Sequence, residues 1–322
     1  MKNLIFSLNA TLPIFFTMLL GTFFHKVGLM GESFTKSINS FVFKIALPAL
    51  LFLDLAQQDF AAAWNGKYVF FCFAATLISI LLITGISFFL IKEKGRRGEF
   101  IQVSYRSSAA ILGLAFIQNI YGDGNSGMAS LMILGSVPLY NAAAVVILTL
   151  SHVSESEDSE KGISSSLILK TLKGIITNPI ILGIFIGLIW SLLKLPLPTI
   201  FYSTVHNLAV LATPLGLMAM GASIRFSEMK ECALLAIFAS LIKLFGLAAL
   251  FLPFAIALGF RQQELVALLV MFGSASTVSC YIMAKNMGHD GALTSATVMI
   301  TTFGCAFSLT FWLWLMKTLC FN

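Results

Sequence analysis

Two short segments of small and hydroxyl-bearing residues stand where long apolar side chains would be expected. Residues 104–113 read Ser-Tyr-Arg-Ser-Ser-Ala-Ala-Ile-Leu-Gly, and residues 273–280 read Gly-Ser-Ala-Ser-Thr-Val-Ser-Cys. Hydroxyl groups can satisfy the backbone groups that a broken helix leaves free. Two broken helices that cross would direct the positive ends of their half-helix dipoles toward one point, which suits an anion. The alternative is close packing of small residues between unbroken helices.

Three basic residues fall inside apolar runs. Lys44 and Lys243 lie deep in their runs, Arg106 lies in the first polar segment, and Asp54 is the acidic residue set against them. An unpaired cation at the centre of a bilayer costs at least about 2.5–3.5 kcal/mol, so either one of the lysines is neutral or an anion binds; we expect an anionic substrate. Two alternatives stay open: Arg106 can snorkel to one membrane face, and Lys243 can bind freed backbone carbonyls.

Two prolines and one amide complete the set of candidate residues. Pro48 and Pro214 each lie inside an apolar run, where proline removes an amide donor and kinks a helix. Such a kink is structural in itself, but it can line a site beside a crossing. Asn141 is a candidate lining residue, and a hydrogen bond between helices is its alternative role.

The composition places these segments in a membrane. Only 11% of the residues are charged, against about 25% in soluble domains. Apolar stretches long enough to cross the hydrocarbon core must be helical, since lipid offers backbone amides no partner. We expect ten such spans, at 5–24, 34–55, 68–91, 100–121, 128–150, 173–193, 203–224, 231–258, 264–286 and 292–316. A polar linker, 151–172, separates residues 1–150 from residues 173–322.

The charge distribution predicts the orientation. The connections on one side of the predicted bundle are rich in basic residues, most densely in the cluster from Lys92 to Arg97. The positive-inside rule then places both termini outside the cytoplasmic membrane, and it explains the net charge of +6 without nucleic acid. The five cysteines are scattered and form no Cys-x-x-Cys pair, so neither a metal site nor a disulfide framework is expected.

The sequence resembles itself after a shift of 166 residues. Pro13-Ile14 falls on Pro179-Ile180, Pro48 on Pro214, and Ser108-Ala109 on Ser274-Ala275. Each predicted half has five spans, an odd number, so the second half must start on the opposite side of the membrane. Such inverted repeats recur in secondary transporters, where exchanging the conformations of the halves alternates access between the two sides.

Several motifs resemble the auxin efflux carrier family, which includes plant PIN-FORMED carriers and bacterial permeases associated with malate or malonate. They are Ala-Leu-Pro-Ala-Leu-Leu-Phe at 46–52, Tyr-Arg-Ser-Ser at 105–108, Val-Pro-Leu-Tyr-Asn at 137–141, Asn-Pro-Ile-Ile at 178–181 and Thr-Pro-Leu at 213–215. The resemblance implies a bile-acid-symporter-like fold in which the fourth and ninth spans are broken and cross. It places the crossing at Ser107, Ser108, Gly113, Ser274, Ala275 and Ser276. Many relatives have proline there, whereas this chain has Ala109 and Ala275.

The first hypothesis is therefore a secondary transporter for a small organic anion, with no cofactor or metal. The coupling ion, H⁺ or Na⁺, and a homodimer are left open. An intramembrane serine protease is an alternative, because Gly124-Asn125-Ser126-Gly127 matches a Gly-x-Ser-Gly pattern and His206 could serve as the base. A membrane sensor or scaffold on a transporter fold is a third.

Overall fold

A computed structural model describes residues 16–57, 64–109, 127–153, 177–223 and 230–319, together with Pro13, Ile117, Ile120 and Tyr121. All the regular secondary structure in these residues is helical. The helices are α1 (Glu32–Phe41), α2 (Leu47–Ala56), α3 (Gly66–Leu90), α4 (Lys94–Tyr105), α5 (Gly127–Val153), α6 (Pro179–Leu192), α7 (Thr199–Ala209), α8 (Ala212–Ala222), α9 (Ala233–Leu241), α10 (Leu247–Ala257), α11 (Gln263–Gly273), α12 (Ser279–Asn286) and α13 (Ala292–Thr318). Residues 16–26 are helical as well.

Six stretches of the described chain are long and apolar enough to cross a membrane. They are Glu32–Ala56, Gly66–Leu90, Met128–Ser151, Thr199–Ala222, Ala233–Ala257 and Ala292–Thr318. The helices Pro179–Leu192 and Gln263–Gly273 are apolar but shorter. The protein is thus an all-helical, multi-pass membrane protein, while the full set of ten spans stays a prediction.

Two of the long stretches contain a π-helical turn with a lysine in it. Val42–Ala46 joins α1 to α2 and contains Lys44, and Ile242–Gly246 joins α9 to α10 and contains Lys243. In an ordinary α-helix Pro48 would leave the carbonyl of Lys44 without its amide donor, and its ring would crowd that carbonyl. The widened turn directly before Pro48 accommodates the proline, so the irregularity predicted there takes the form of a π-bulge.

Glycines bring two pairs of helices into close backbone contact. A Cβ atom on Gly21 would overlap the carbonyl of Met218, and one on Gly187 would lie 2.7 Å from the carbonyl oxygen of Phe52. Gly21 and Gly187 are 166 residues apart, and so are Phe52 and Met218. The helix at 16–26 therefore approaches α8 at the positions where α6 approaches α2.

The remaining helices surround the two polar segments. Helix α5 packs on α3, α4 and α11, while α13 packs on α4, α9 and α11. The ends of α4 and α11 consequently lie inside the bundle. The described core here is continuous and contains buried Tyr105, Tyr140, Phe272 and Tyr281.

Candidate functional site

The two polar segments interrupt their helices and contact each other. Helix α4 ends at Tyr105, and Arg106 is extended, with φ −74° and ψ 134°. Helix α11 ends at Gly273, Ser274 is extended, and helix resumes only at Ser279. The amide of Ser108 donates to the carbonyl oxygen of Ala275 over 3.0 Å. The two segments therefore meet at a backbone hydrogen bond, although neither segment contains proline, and we call this meeting point the crossing.

Serine hydroxyls satisfy the carbonyls that the interruptions leave free. Ser107 Oγ donates to the Met271 carbonyl over 2.6 Å, and Ser276 Oγ donates to the Val103 carbonyl over 2.7 Å. Each serine thus donates a hydrogen bond to a carbonyl at the helix end of the opposite segment. Since the last carbonyls of a helix have no partner within it, these two side chains stabilise the crossing itself.

The other residues predicted at the crossing differ in their hydrogen bonds. The Ser274 side chain is fully buried, and its hydroxyl oxygen has no hydrogen-bond partner among the described residues. Ala275 contributes its carbonyl to the bond with Ser108, and its methyl group is buried. Gly113 lies outside the described residues.

Arg106 is buried at the crossing and is bound by neutral groups. The residue is only 1% exposed, so its side chain does not snorkel to water. Nη2 donates to Asn141 Oδ1 over 2.7 Å and to Ser279 Oγ over 2.8 Å. Nη1 contacts Gln102 Oε1 at 3.3 Å and Met283 Sδ at 2.9 Å. Within the described chain Arg106 has no carboxylate partner, and its Nε has no hydrogen-bond partner.

The guanidinium lies at the N-terminus of a half-helix. Ser279, which accepts from Arg106, is the first residue of α12. A helix N-terminus carries about half a positive charge, so two positive groups meet at this point. Ser279 also lies 3.1 Å from Thr277, hydroxyl to hydroxyl, and residues 277–279 are half-buried. The arrangement is electrostatically complementary to an anion.

Lys243 binds backbone carbonyls, which is the alternative that the sequence left open for it. Its side chain is fully buried, and Nζ donates to the carbonyls of Phe272 over 2.8 Å and Met271 over 3.2 Å. These carbonyls lie at the C-terminal end of α11. Lys243 is therefore engaged at the negative end of one half-helix, whereas Arg106 lies at the positive end of the next.

Lys44 is on the wall of an open cavity of about 720 Å³. The lysine is exposed, in contrast to Arg106 and Lys243. Polar residues from α1, the end of α8 and α12 line this cavity, among them Lys36, Asn39, Ser223, Tyr281 and Lys285. On α12, Tyr281 and Lys285 lie on the cavity side, whereas Ser279 and Met283 face Arg106. The structure thus places Lys44 and Arg106 on opposite sides of α12.

Three buried polar atoms on the cavity wall make no hydrogen bond of good geometry among the described residues, although Tyr281 lies close to Asn39 and Ser223. They are Thr35 Oγ1, Asn39 Oδ1 and the Tyr281 hydroxyl. Their residues are at most 6% exposed. Because buried polar groups are nearly always satisfied, this wall suits a polar solute.

The proline and amide candidates lie in different places. Pro48 and Pro214 are both absent from the lining of the cavity among the described residues. Pro48 instead contacts the helix α6 at Gly183, and Pro214 follows a turn at residues 210–211 that separates α7 from α8. Asn141 is buried and holds Arg106, so its hydrogen bond between helices is part of the crossing.

Several residues at the site were not among the individual site residues predicted from the sequence. Gln102 fixes the crossing by donating from Nε2 to the Cys280 carbonyl over 3.0 Å. Ser279 and Tyr281 face the two sides of α12, and Glu99 caps α13. The sequence indicates these residues only by their polarity, because each is a polar residue next to or within an apolar run.

The residues needed for the protease alternative are not assembled in the described chain. Ser126 lies outside the described residues. His206 is exposed on α7 and stacks on the ring of Tyr202, with 5.5 Å between the ring centroids.

Comparison with known proteins decides the family. The sequence pattern of the membrane transport protein family matches residues 6–313, nearly the whole chain. The chain belongs to the membrane transport protein family. This confirms the resemblance to auxin efflux carriers and related permeases.

Two archaeal relatives align over almost their full length. An uncharacterized transporter of Methanocaldococcus jannaschii is 22% identical over 317 residues, covering 96% of this chain and 98% of that protein. An uncharacterized transporter of Methanothermobacter thermautotrophicus is 21% identical over 316 residues, covering 95% of this chain and 97% of that protein. Together with the apolar helices, the family membership establishes a multi-pass membrane transporter.

Proposed function

We propose that this transporter is a secondary carrier that moves a small organic anion, such as a carboxylate, across the cytoplasmic membrane by alternating access. The proposed binding point is the crossing, between Arg106 and the N-terminus of α12. One observation carries the proposal: a guanidinium that is 1% exposed lies beside a half-helix N-terminus, and the described residues give it no carboxylate partner.

The free energy of this arrangement favours a bound anion. Burying a charge is costly unless it is paired, and here the positive end of a helix dipole adds to the charge. Neutral partners such as Asn141 and Ser279 solvate the guanidinium only in part. A carboxylate at this point would accept from Arg106 and from the first amide of α12, that of Ser279, because the amides of Cys280 and Tyr281 already donate to Thr277 and Val278. The bond from the guanidinium is charge-assisted, and such bonds are short and strong.

The cavity supports a route to the crossing. It opens where Lys36 and Lys285 lie, which is the side that the positive-inside rule assigns to the cytoplasm. Its walls carry Lys44 and the buried polar atoms of Asn39 and Tyr281. A solute in the cavity would be separated from Arg106 by α12, and a movement of α12 relative to α1 would open the cavity toward Arg106.

The glycine contacts support the proposed inverted repeat. Gly21 against Met218 and Gly187 against Phe52 are equivalent pairs under the 166-residue shift, and each pair joins one half of the chain to the other. Two halves that exchange equivalent contacts have the symmetry that alternating access requires. The orientation with both termini outside belongs to the same proposal.

The test is uptake by the purified protein in liposomes. We expect saturable uptake of at least one labelled carboxylate from a panel of acetate, malonate, succinate and malate. Lys44→Gln should weaken the apparent affinity by up to about fivefold, because a partly hydrated charge contributes up to about 1 kcal/mol. Lys317→Gln, on the exposed last turn of α13, is the control and should leave uptake unchanged. Saturable uptake of neutral or cationic solutes only, or no uptake of any solute, would contradict the proposal.

A further inference from the structure

Two neutral amide side chains hold the guanidinium of Arg106 by their oxygen atoms. We infer that Gln102 and Asn141 determine the charge selectivity of the crossing, because they bind the guanidinium without neutralising it and so leave its positive charge to a solute. A carboxylate at either position would be a resident counter-ion and would exclude an anionic solute. The inference rests on the proposed function, since it concerns the anion site at Arg106.

Each amide binds a different terminal nitrogen of the guanidinium. Gln102 Oε1 lies 3.3 Å from Nη1, and Asn141 Oδ1 lies 2.7 Å from Nη2. Gln102 is fully buried and Asn141 is 3% exposed, so bulk water does not compete for these contacts. The two oxygens therefore replace part of the water that the guanidinium would bind in solution, and they bring no charge of their own.

The nitrogens of both amides fix the orientation of the side chains. Gln102 Nε2 donates to the Cys280 carbonyl over 3.0 Å, and Asn141 Nδ2 donates to the Val137 carbonyl over 2.9 Å. A carbonyl can only accept, so each NH₂ group must face its carbonyl and each amide oxygen must face Arg106. Both side chains thus offer the guanidinium the acceptor that a carboxylate would offer, without the negative charge.

The acidic residue of α4 is engaged elsewhere. Glu99 lies three residues before Gln102, and its carboxylate accepts from the amides of Gly291 and Thr294 and from the Thr294 hydroxyl. No ion pair of the described chain includes Arg106. Within the described residues the protein therefore leaves this charge uncompensated, and the two amides occupy the places where isosteric carboxylates would compensate it.

The change from an amide to a carboxylate has a large electrostatic effect at these distances. Opposite charges within about 4 Å attract far more strongly in a buried site than in water. Glutamate at position 102 or aspartate at position 141 keeps the size of the side chain and adds a negative charge beside the guanidinium. Arg106 would then be paired within the protein, and an incoming anion would gain little from it.

Uptake into liposomes tests the inference, with labelled acetate, malonate, succinate and malate as probes. For the acids that the wild type takes up, Gln102→Glu should raise KM by about 30-fold or more, as expected when the charge of Arg106 is no longer available. Gln102→Met has a similar size and no charge, and it should raise KM by only about fivefold, because it loses neutral hydrogen bonds. Gln57→Glu, at the exposed C-terminal end of α2, is the control for an added charge and should keep wild-type uptake.

Asn141→Asp is an independent test with a smaller structural change. The Val137 carbonyl that loses a donor lies one turn earlier on the same helix, so no contact between helices depends on it. Asn141→Asp should raise KM as Gln102→Glu does, whereas Asn141→Leu should raise it much less. In thermal unfolding without added acid, each acidic variant should be at least as stable as its apolar counterpart, because the carboxylate pairs with a buried guanidinium.

The outcomes separate this inference from the proposed function. A wild-type KM in either acidic variant, or an equal rise of KM in the acidic and apolar variants, would overturn the inference and leave the anion carrier intact. An acidic variant that is less stable than its apolar counterpart would overturn it as well, because its carboxylate would not be paired with Arg106. Absence of acid uptake by the wild type would instead refute the proposed function.

Discussion

Replacing Arg106 with glutamine is expected to abolish carboxylate uptake and binding. The guanidinium is the buried cation nearest the N-terminus of α12, and glutamine keeps hydrogen-bonding capacity while removing the charge. Truncating one member of a buried charge pair costs about 2–5 kcal/mol, which corresponds to a weakening of the dissociation constant by about 30-fold or more. Titration calorimetry and liposome uptake measure the two effects.

The Arg106→Gln substitution also shows whether Arg106 contributes to anion binding or to the stability of the fold. Without an anion, Arg106 is a buried charge held by neutral groups, so its removal both relieves an unpaired charge and loses the hydrogen bonds to Asn141 and Ser279. The melting temperature of the ligand-free protein should therefore change less than that of the carboxylate-bound protein. The stabilisation that a bound carboxylate gives to the wild type should be lost in Arg106→Gln. Arg261→Gln is the control, because this arginine donates to backbone carbonyls at an exposed turn. Unchanged binding in Arg106→Gln, or a large loss of ligand-free stability, would contradict the assigned role.

Replacing Glu99 with alanine is expected to cause the largest loss of stability. Glu99 is 2% exposed, and its carboxylate accepts from the amides of Gly291 and Thr294 over 2.7 and 3.0 Å and from the Thr294 hydroxyl over 2.8 Å. It thereby caps the N-terminus of α13 from helix α4, which leads into the crossing. Hydrogen bonds to a charged group contribute about 1.5–3 kcal/mol each, so a loss of about 3 kcal/mol or more is expected. Thermal unfolding in detergent measures it.

Glu93, the residue directly before α4, provides the comparison. Its carboxylate forms an exposed ion pair with Arg96 at 3.0 Å just before α4 begins. Exposed ion pairs contribute up to about 1 kcal/mol, so Glu93→Ala should change the stability little. Equal losses of stability from the two substitutions would mean that the hydrogen bonds of Glu99 do not stabilise the contact between α4 and α13.

The position of the crossing could be predicted because its cause is local. Polar and small residues at 104–113 and 273–280 interrupt an apolar pattern, and the hydroxyls of Ser107 and Ser276 bind freed carbonyls as their chemistry predicts. The absence of proline did not prevent the interruptions, because an extended residue, Arg106 or Ser274, ends each helix without it.

The partners of the charged residues could not be predicted, because they are distant in sequence. Arg106 binds Asn141, 35 residues away, and Ser279, 173 residues away. Periodicity places a residue on a helix face but does not say which helix that face meets. The sequence therefore grouped Lys44, Arg106 and Lys243 as one set, whereas the fold separates them by α12 and by the end of α11.

The π-turns and the cap of α13 could not be predicted either, because they too depend on residues that are distant in sequence. Pro48 predicted an irregularity near 42–46 but not its form, and 242–246 has no proline next to it. The carbonyl of Leu244 in the second turn accepts from Trp312, 68 residues away, which the sequence does not indicate. Glu99 stood at the edge of a predicted span, where an acidic residue is ordinarily solvated. Its burial depends on the left-handed turn at Gly291, which presents amides to it.

The most direct test of the anion site is a structure of the carrier with a bound carboxylate. A heavy-atom analogue such as a brominated dicarboxylate would identify the ligand by its scattering. We predict density between the guanidinium of Arg106 and the amide of Ser279, the first of α12, within hydrogen-bonding distance of both. Ligand bound elsewhere, with Arg106 still held only by Asn141, Gln102 and Ser279, would contradict an anion site at the crossing.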